Sequence, residues 1–192
     1  ENPEARFPDR KPQVVYPGYF GAHNVEAMSF NPQAGLMYIP ALDQGRVYSD
    51  PPGDLASWRH KDNGRASNGI GNPPPGLQPK PSTSFLIAWN PATQREAWRV
   101  PTVGPRGAGG TASTAGNLVF QGSVDGQFRA LAADSGKQLW TFDAQTGIMA
   151  QPISFGAKGR QYVAVVAGAR FATAQGLPQG EWDYRTQRWR LL

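Results

Sequence analysis

The chain has no cysteine. That excludes disulfides, haem attachment through Cys-x-x-Cys-His and thiolate metal sites within these residues. Charge is sparse, at 17% of 192 residues with a net of +5, and the basic residues are scattered. A nucleic-acid-binding face is therefore not expected. No apolar run approaches the roughly 18 residues that a membrane-spanning helix needs, so no membrane span is expected. The sequence opens on Glu1 without a secretory leader, as expected of a segment taken from a longer chain. Glycine and proline are plentiful, with 23 and 18 copies. That suits an all-β chain with many turns and argues against a helical bundle.

One stretch is used twice. Ala88-Trp89-Asn90-Pro91-Ala92-Thr93-Gln94-Arg95-Glu96-Ala97-Trp98 returns as Ala130-Leu131-Ala132-Ala133-Asp134-Ser135-Gly136-Lys137-Gln138-Leu139-Trp140, an offset of 42 residues. A repeat of about 40–50 residues made of short strands is the mark of a propeller blade. Ser135-Gly136-Lys137 reads as a tight turn. Residues 137–142 alternate polar and apolar, as a half-buried strand does. A Trp closing each unit can bury a large ring between neighbouring blades, so Trp98 and Trp140 are both expected to be largely buried.

Taken in order, residues 1–23 carry Pro3, Pro8, Pro12 and Pro17 and read as an irregular ordered connector. Residues 24–30 read as the innermost strand of a blade, followed by a Gly-containing turn at 31–35 and a strand at 36–40. Residues 43–83 are broken by Pro-Pro-Gly, Asn-Gly and Pro-Pro-Pro-Gly runs and read as a loop insertion on one face. Strands are expected at 84–90 and 96–100, then at 110–114, 117–122, 126–132 and 137–143, then at 148–155 and 161–167. Residues 24–168 thus hold two full antiparallel four-stranded blades, near 24–100 and 110–143, and part of a third at 148–168. A closed ring needs about four to eight blades, so this is a partial propeller. Residues 169–192 lose the repeat and form a divergent tail.

The Ala-x-x-x-x-Thr/Ser-Gly-x-x-x-Trp pattern resembles the tryptophan-docking motif of quinoprotein dehydrogenases. Gly21-Ala22-His23-Asn24, Met28-Ser29-Phe30-Asn31-Pro32, Gly109-Gly110-Thr111, the run Ser113-Thr114-Ala115-Gly116-Asn117-Leu118-Val119-Phe120-Gln121-Gly122, and Phe142-Asp143-Ala144-Gln145-Thr146-Gly147-Ile148 are similar to the C-terminal blades of the PQQ-dependent alcohol dehydrogenases. The resemblance covers roughly residues 1–168. It implies an eight-bladed parent enzyme in the periplasm, with PQQ and calcium as cofactors. It also implies a small alcohol as substrate, the rest of the propeller as partner and a cytochrome c as electron acceptor. The calcium ligands and the aspartate base are expected outside this segment. The chain alone is expected to be inactive, and no catalytic or metal residue is assigned within it.

The same resemblance makes Asn24 a cofactor contact, since an amide offers donor and acceptor to a ring bearing carbonyls and carboxylates. A turn Asn capping its own backbone is the alternative. Val25 stands where the family has Trp, and Ala167 and Gly168 match an inner segment whose backbone lies near the cofactor. Simple strand termination is the alternative for that pair. At Ala169-Arg170-Phe171 the family pattern is lost. His23 and His60 each lack a partner at ligand spacing and read as structural. Gly107, Gly109 and Gly110 precede a strand rather than a helix, which excludes a phosphate cradle and points to close backbone approach. Arg106 reads as solvated, with an anionic ligand as the alternative. Asp125-Gly126 reads as a hairpin turn and Asp143 as a repeat position, and neither forms a carboxylate pair; Asp43 is the remaining acid–base candidate. Two other readings stay open: a non-catalytic propeller scaffold with the same docking repeats, and a decayed or truncated gene product.

Overall fold

A computed structural model describes residues 12–48, 75–103 and 108–168. Arg106, Gly107, His60 and the 169–192 tail lie outside these residues. The strands are β1 (Gln13–Val15), β2 (Ser29–Asn31), β3 (Leu36–Asp43), β4 (Arg46–Tyr48), β5 (Thr83–Asn90), β6 (Arg95–Thr102), β7 (Ala108–Thr114), β8 (Leu118–Ser123), β9 (Gln127–Ala132), β10 (Gln138–Asp143), β11 (Ile153–Ala157) and β12 (Arg160–Ala164). No helix occurs among the described residues. The fold is all-β and forms part of a propeller, with two four-stranded sheets ordered β2-β3-β5-β6 and β10-β9-β8-β7 and a two-stranded β11-β12.

The contacts divide the chain into two units. In one, β1 pairs antiparallel with β4, Gln13 opposite Tyr48. The sequence marks β4 as part of a loop and β1 as irregular, because three residues are too few to show a period of two. Gly45 lies under the Tyr16 ring, and the Tyr16 hydroxyl accepts the Lys80 N–H at 2.6 Å. The other unit, residues 23–42 and 83–192, holds the remaining sheets.

The 42-residue repeat extends to register. Ala88 faces Trp98 and Ala130 faces Trp140, and each pair is followed by a bulge that skips one residue, Ala97 or Leu139. Gln94 and Gly136 occupy matching turn positions, both left-handed, at φ 56° and 71°. Asp125 also behaves as a turn residue, its Oδ1 accepting Gln127 N–H at 3.2 Å, with Gly126 at φ 84°.

The second sheet is packed on both faces. On one side Val119, Leu131 and Ala133 join Leu36, Tyr38, Leu86 and Ala88 of the first sheet. On the other, Phe120, Phe128 and Ala130 join Ile148, with Val163, Val165 and Ala167 against them. Val119 and Phe120 are neighbours in sequence yet serve opposite cores, as the period of two requires. This double burial explains why β8 is buried along nearly its whole length rather than at alternate residues.

The two tryptophans differ. Trp98 is half-buried, lies 5.7 Å from the Tyr38 ring and donates its indole N–H to the Ala133 carbonyl at 3.1 Å. A Cβ on Gly136 would stand 2.7 Å from Trp98 Cε3, so the ring lies flat on the glycine of the second copy of the repeat. Trp140 is 45% exposed, and its ring contacts among the described residues are with Phe128 and Phe142 of its own sheet. The expectation that both rings are largely buried is therefore corrected. Trp98 finds a turn of the next sheet to cover it. Beside Trp140 the following sheet has two described strands, β11 and β12, without such a turn.

Tyr38 is fully buried and donates to the same Ala133 carbonyl at 2.8 Å. Burial, aided by the nearby Asp134 charge, pushes its phenol from 10.0 to about 12. The neutral phenol is favoured in the folded state. Its contribution is therefore complete below about pH 10 and is lost as pH rises through about 12. A two-unit difference corresponds to roughly 3 kcal/mol. Denaturant midpoints of the native chain should fall between pH 10 and 12, and Tyr38→Phe should flatten that fall while lowering stability by about 1 kcal/mol at neutral pH.

Candidate functional site

The segment read as an inner strand from residue 24 becomes strand only at Ser29. The reason lies in its hydrogen bonds. Ala27 turns its carbonyl away from β3 and accepts the Thr111 N–H of the second sheet at 2.8 Å. Residues 24–26 are left as a short bridge ahead of that anchor. At its other end His23 donates from Nδ1 to the Pro40 carbonyl of β3 at 2.7 Å. His23 thus has a structural bond, as its lack of a ligand partner suggests.

Asn24 and Val25 are both exposed on this bridge, Val25 to 86%. Ala167 and Gly168 lie elsewhere, beyond β12. Ala167 packs against the Phe120, Phe128 and Ile148 core. Gly168 is held at φ 136° and donates its N–H to the Gly147 carbonyl at 2.9 Å, so that N–H is committed. The strand-end reading accounts for this pair locally.

Gly109 and Gly110 are points of close approach. A Cβ on Gly109 would stand 2.8 Å from the Met149 carbonyl carbon, and one on Gly110 would stand 3.0 Å from Ala27 N. Thr111, which follows them, is fully buried, with its hydroxyl 2.8 Å from Ser29 Oγ. Gln151 donates to the Thr111 carbonyl at 3.3 Å and Gln121 to the Gly109 carbonyl at 3.1 Å. Sequence reasoning singles out the glycines but not Thr111, Ser29 or Gln151. Thr111's only signal is its place directly after the Gly109–Gly110 pair, and Ser29 and Gln151 carry none.

Asp43 is exposed at the end of β3, and Asp143 caps its own turn by accepting Gln145 N–H at 2.8 Å. Among the described residues no group of three or more His, Cys, Asp or Glu could hold a metal. The Asn24 side chain is an amide on the exposed bridge, with both a donor and an acceptor.

Four-stranded antiparallel sheets built on a 42-residue repeat point to a β-propeller domain. The family model for the PQQ glucose/ethanol/alcohol dehydrogenase β-propeller domain matches residues 3–163. The quinohemoprotein alcohol dehydrogenase ADH IIB of Pseudomonas putida is 42% identical over 168 residues, covering 88% of this chain and 24% of the relative. The solved quinohemoprotein alcohol dehydrogenase ADHIIG of Pseudomonas putida HK5 superposes with a TM-score of 0.75 at 39% identity, covering 86% of this chain and 25% of that one. The 1-butanol dehydrogenase (cytochrome c) of Thauera butanivorans is 38% identical over 176 residues, covering 88% of this chain and 24% of the relative. The chain belongs to this PQQ-dependent alcohol dehydrogenase family and spans about a quarter of the length of the relatives it matches. PQQ and calcium are the cofactors that membership implies.

Proposed function

We propose that this chain is part of a PQQ-dependent alcohol dehydrogenase, and that its share of the work is to hold one edge of the cofactor. The observation that carries the proposal is Asn24, an exposed amide on a bridge anchored at both ends in a chain of this family. Its side chain would donate to and accept from the edge of PQQ. Val25 is too exposed to be a core residue and would offer an aliphatic surface beside the amide. Ala167 and the carbonyl of Gly168 would contribute backbone only. When bound, PQQ would supply the hydride-accepting chemistry of alcohol oxidation, which belongs to the cofactor. The protein's part here is to orient and to shield.

The calcium ligands and the catalytic base would come from residues outside this chain. The rest of the propeller would cover Trp140, which is exposed here as are Leu139, Ile153 and Phe155. There Trp140 would dock on a Ser/Thr-Gly turn as Trp98 lies on Gly136. A cytochrome c would accept the electrons, in the periplasm.

A dye-linked alcohol oxidation assay tests this reading. The native polypeptide that contains these residues is expected to turn over a primary alcohol with PQQ and calcium in excess. The purified 192-residue chain alone is expected to show no turnover. Absence of PQQ-dependent turnover in the native polypeptide would overturn the assignment and favour a scaffold role. Turnover by the chain alone would place a base within it, with Asp43 the first residue to replace.

A further inference from the structure

The two four-stranded sheets end on strands at matching positions of the repeat, β6 and β10. Among the described residues each pairs on one side only, β6 with β5 and β10 with β9. Neighbouring sheets cover the faces of a sheet, and the second sheet is packed on both. Its last strand still has a free edge, and an edge strand is a template for another strand. Propellers keep such edges short and protected. Here the two edges are protected unequally. β6 carries Arg95, Glu96 and Arg99, with Pro101 near its end. Charges and a proline are the usual guards against edge pairing. In β10 the run Gln138-Leu139-Trp140-Thr141-Phe142 has no charge, no proline and no glycine. Both strands carry a bulge at the same place in the repeat, so the bulge does not account for the difference.

The unguarded run is also open to solvent. Leu139 is 53% exposed and Trp140 45%. Its aromatic and β-branched residues favour the extended state, and an uncharged run of this kind readily pairs edge to edge. The charges that flank it decide the partner. Lys137 lies three residues before Trp140 and Asp143 three residues after it, and both are exposed. Antiparallel pairing of two such strands, with Trp140 opposite Trp140, sets Lys137 of each copy opposite Asp143 of the other. Parallel pairing in register would set like charges together at both ends. The strand is therefore complementary to itself in the one direction that a two-fold axis allows. Pairing uses up the edge in both copies, so the assembly closes at two.

We propose that β10 is a docking edge for a second copy of this chain, the two strands running antiparallel about Trp140 with Lys137 facing Asp143 at each end. The proposal is independent of the cofactor contact.

Sedimentation velocity of the native polypeptide that contains these residues, at low ionic strength, tests it. A reversible monomer–dimer equilibrium is expected as concentration rises. Lys137→Glu puts like charges opposite each other at both ends and should weaken the dimer by about tenfold. Asp143→Lys should weaken it in the same way. Mixing these two variants sets opposite charges together again at both ends, and should restore association between unlike copies. Leu139→Lys gives β10 the kind of guard that β6 already has, and should abolish the dimer. The unfolding midpoint at high dilution should be the same for Lys137→Glu as for the native polypeptide, which separates lost docking from lost folding. A monomer at every concentration overturns the proposal, even one that binds a strand of a different protein at this edge. So does a dimer indifferent to Lys137→Glu or Leu139→Lys, a mixture that does not recover, or association that grows past two copies.

Discussion

Trp98→Ala is expected to lower the free energy of unfolding by about 3 kcal/mol, whereas Trp140→Ala changes it by less than about 1 kcal/mol. The repeat places the two rings at equivalent positions, so the difference comes from their surroundings. Trp98 lies on Gly136 and contacts Tyr38, packed against the core shared by the first two sheets. Its indole donates to the Ala133 carbonyl, which also accepts from Tyr38. Truncation would open a space between sheets that Gly136, lacking a side chain, cannot fill. Trp98 is only half-buried, which sets the expectation at the lower end of the usual range for large aromatic truncations. Trp140 stacks on Phe142 and meets Phe128 edge-on, both of its own sheet, and keeps much of its surface in water. Denaturant unfolding of the two variants side by side checks this. Equal losses would mean that the sheet interface is not where Trp98 acts.

Gly122→Ala should be of similar size, about 3 kcal/mol, although it adds a single methyl. The new Cβ would overlap Ile148 Cγ2, and Ile148 is fully buried in the second core. Ile148 has little freedom to withdraw, because its N–H donates to the Ser123 carbonyl at 2.9 Å. Overpacking of this kind typically costs about 1–3 kcal/mol, and the upper end fits a side chain held by its own backbone. Ile148→Ala removes the opposing methyl groups. Combining it with Gly122→Ala should therefore cost less than the sum of the two single changes, by more than about 1 kcal/mol. Simple additivity in thermal or denaturant unfolding would contradict the contact.

The fold was legible in the sequence wherever a strand recurred in register. Ala88 with Trp98 and Ala130 with Trp140, 42 residues apart, define both blades before any contact is known. Two features were not legible. Whether a repeat tryptophan is buried depends on the sheet that follows it, and the sequences around Trp98 and Trp140 carry no sign of that. Nor could residues 24–28 be told from a strand. Their composition suits one, and only the bond from Thr111 to Ala27, across 84 positions, shows why they leave it. The candidate site was partly legible for the same reason. Asn24 and the Gly109–Gly110 approach announce themselves locally. Thr111, Ser29 and Gln151 matter only through partners far away in sequence.

The central claim is that these residues form a working section of a quinoprotein alcohol dehydrogenase propeller in which Asn24 holds the cofactor. The most direct measurement replaces the matching segment of the Pseudomonas putida ADH IIB enzyme with residues 12–168 of this chain and titrates the purified apo-chimera with PQQ in the presence of calcium. The account predicts saturable PQQ uptake with restored alcohol oxidation, and an apparent affinity at least about tenfold weaker when Asn24→Ala is introduced, for a loss near 1.4 kcal/mol. A folded chimera that takes up no PQQ, or one whose affinity is indifferent to Asn24→Ala, would contradict it.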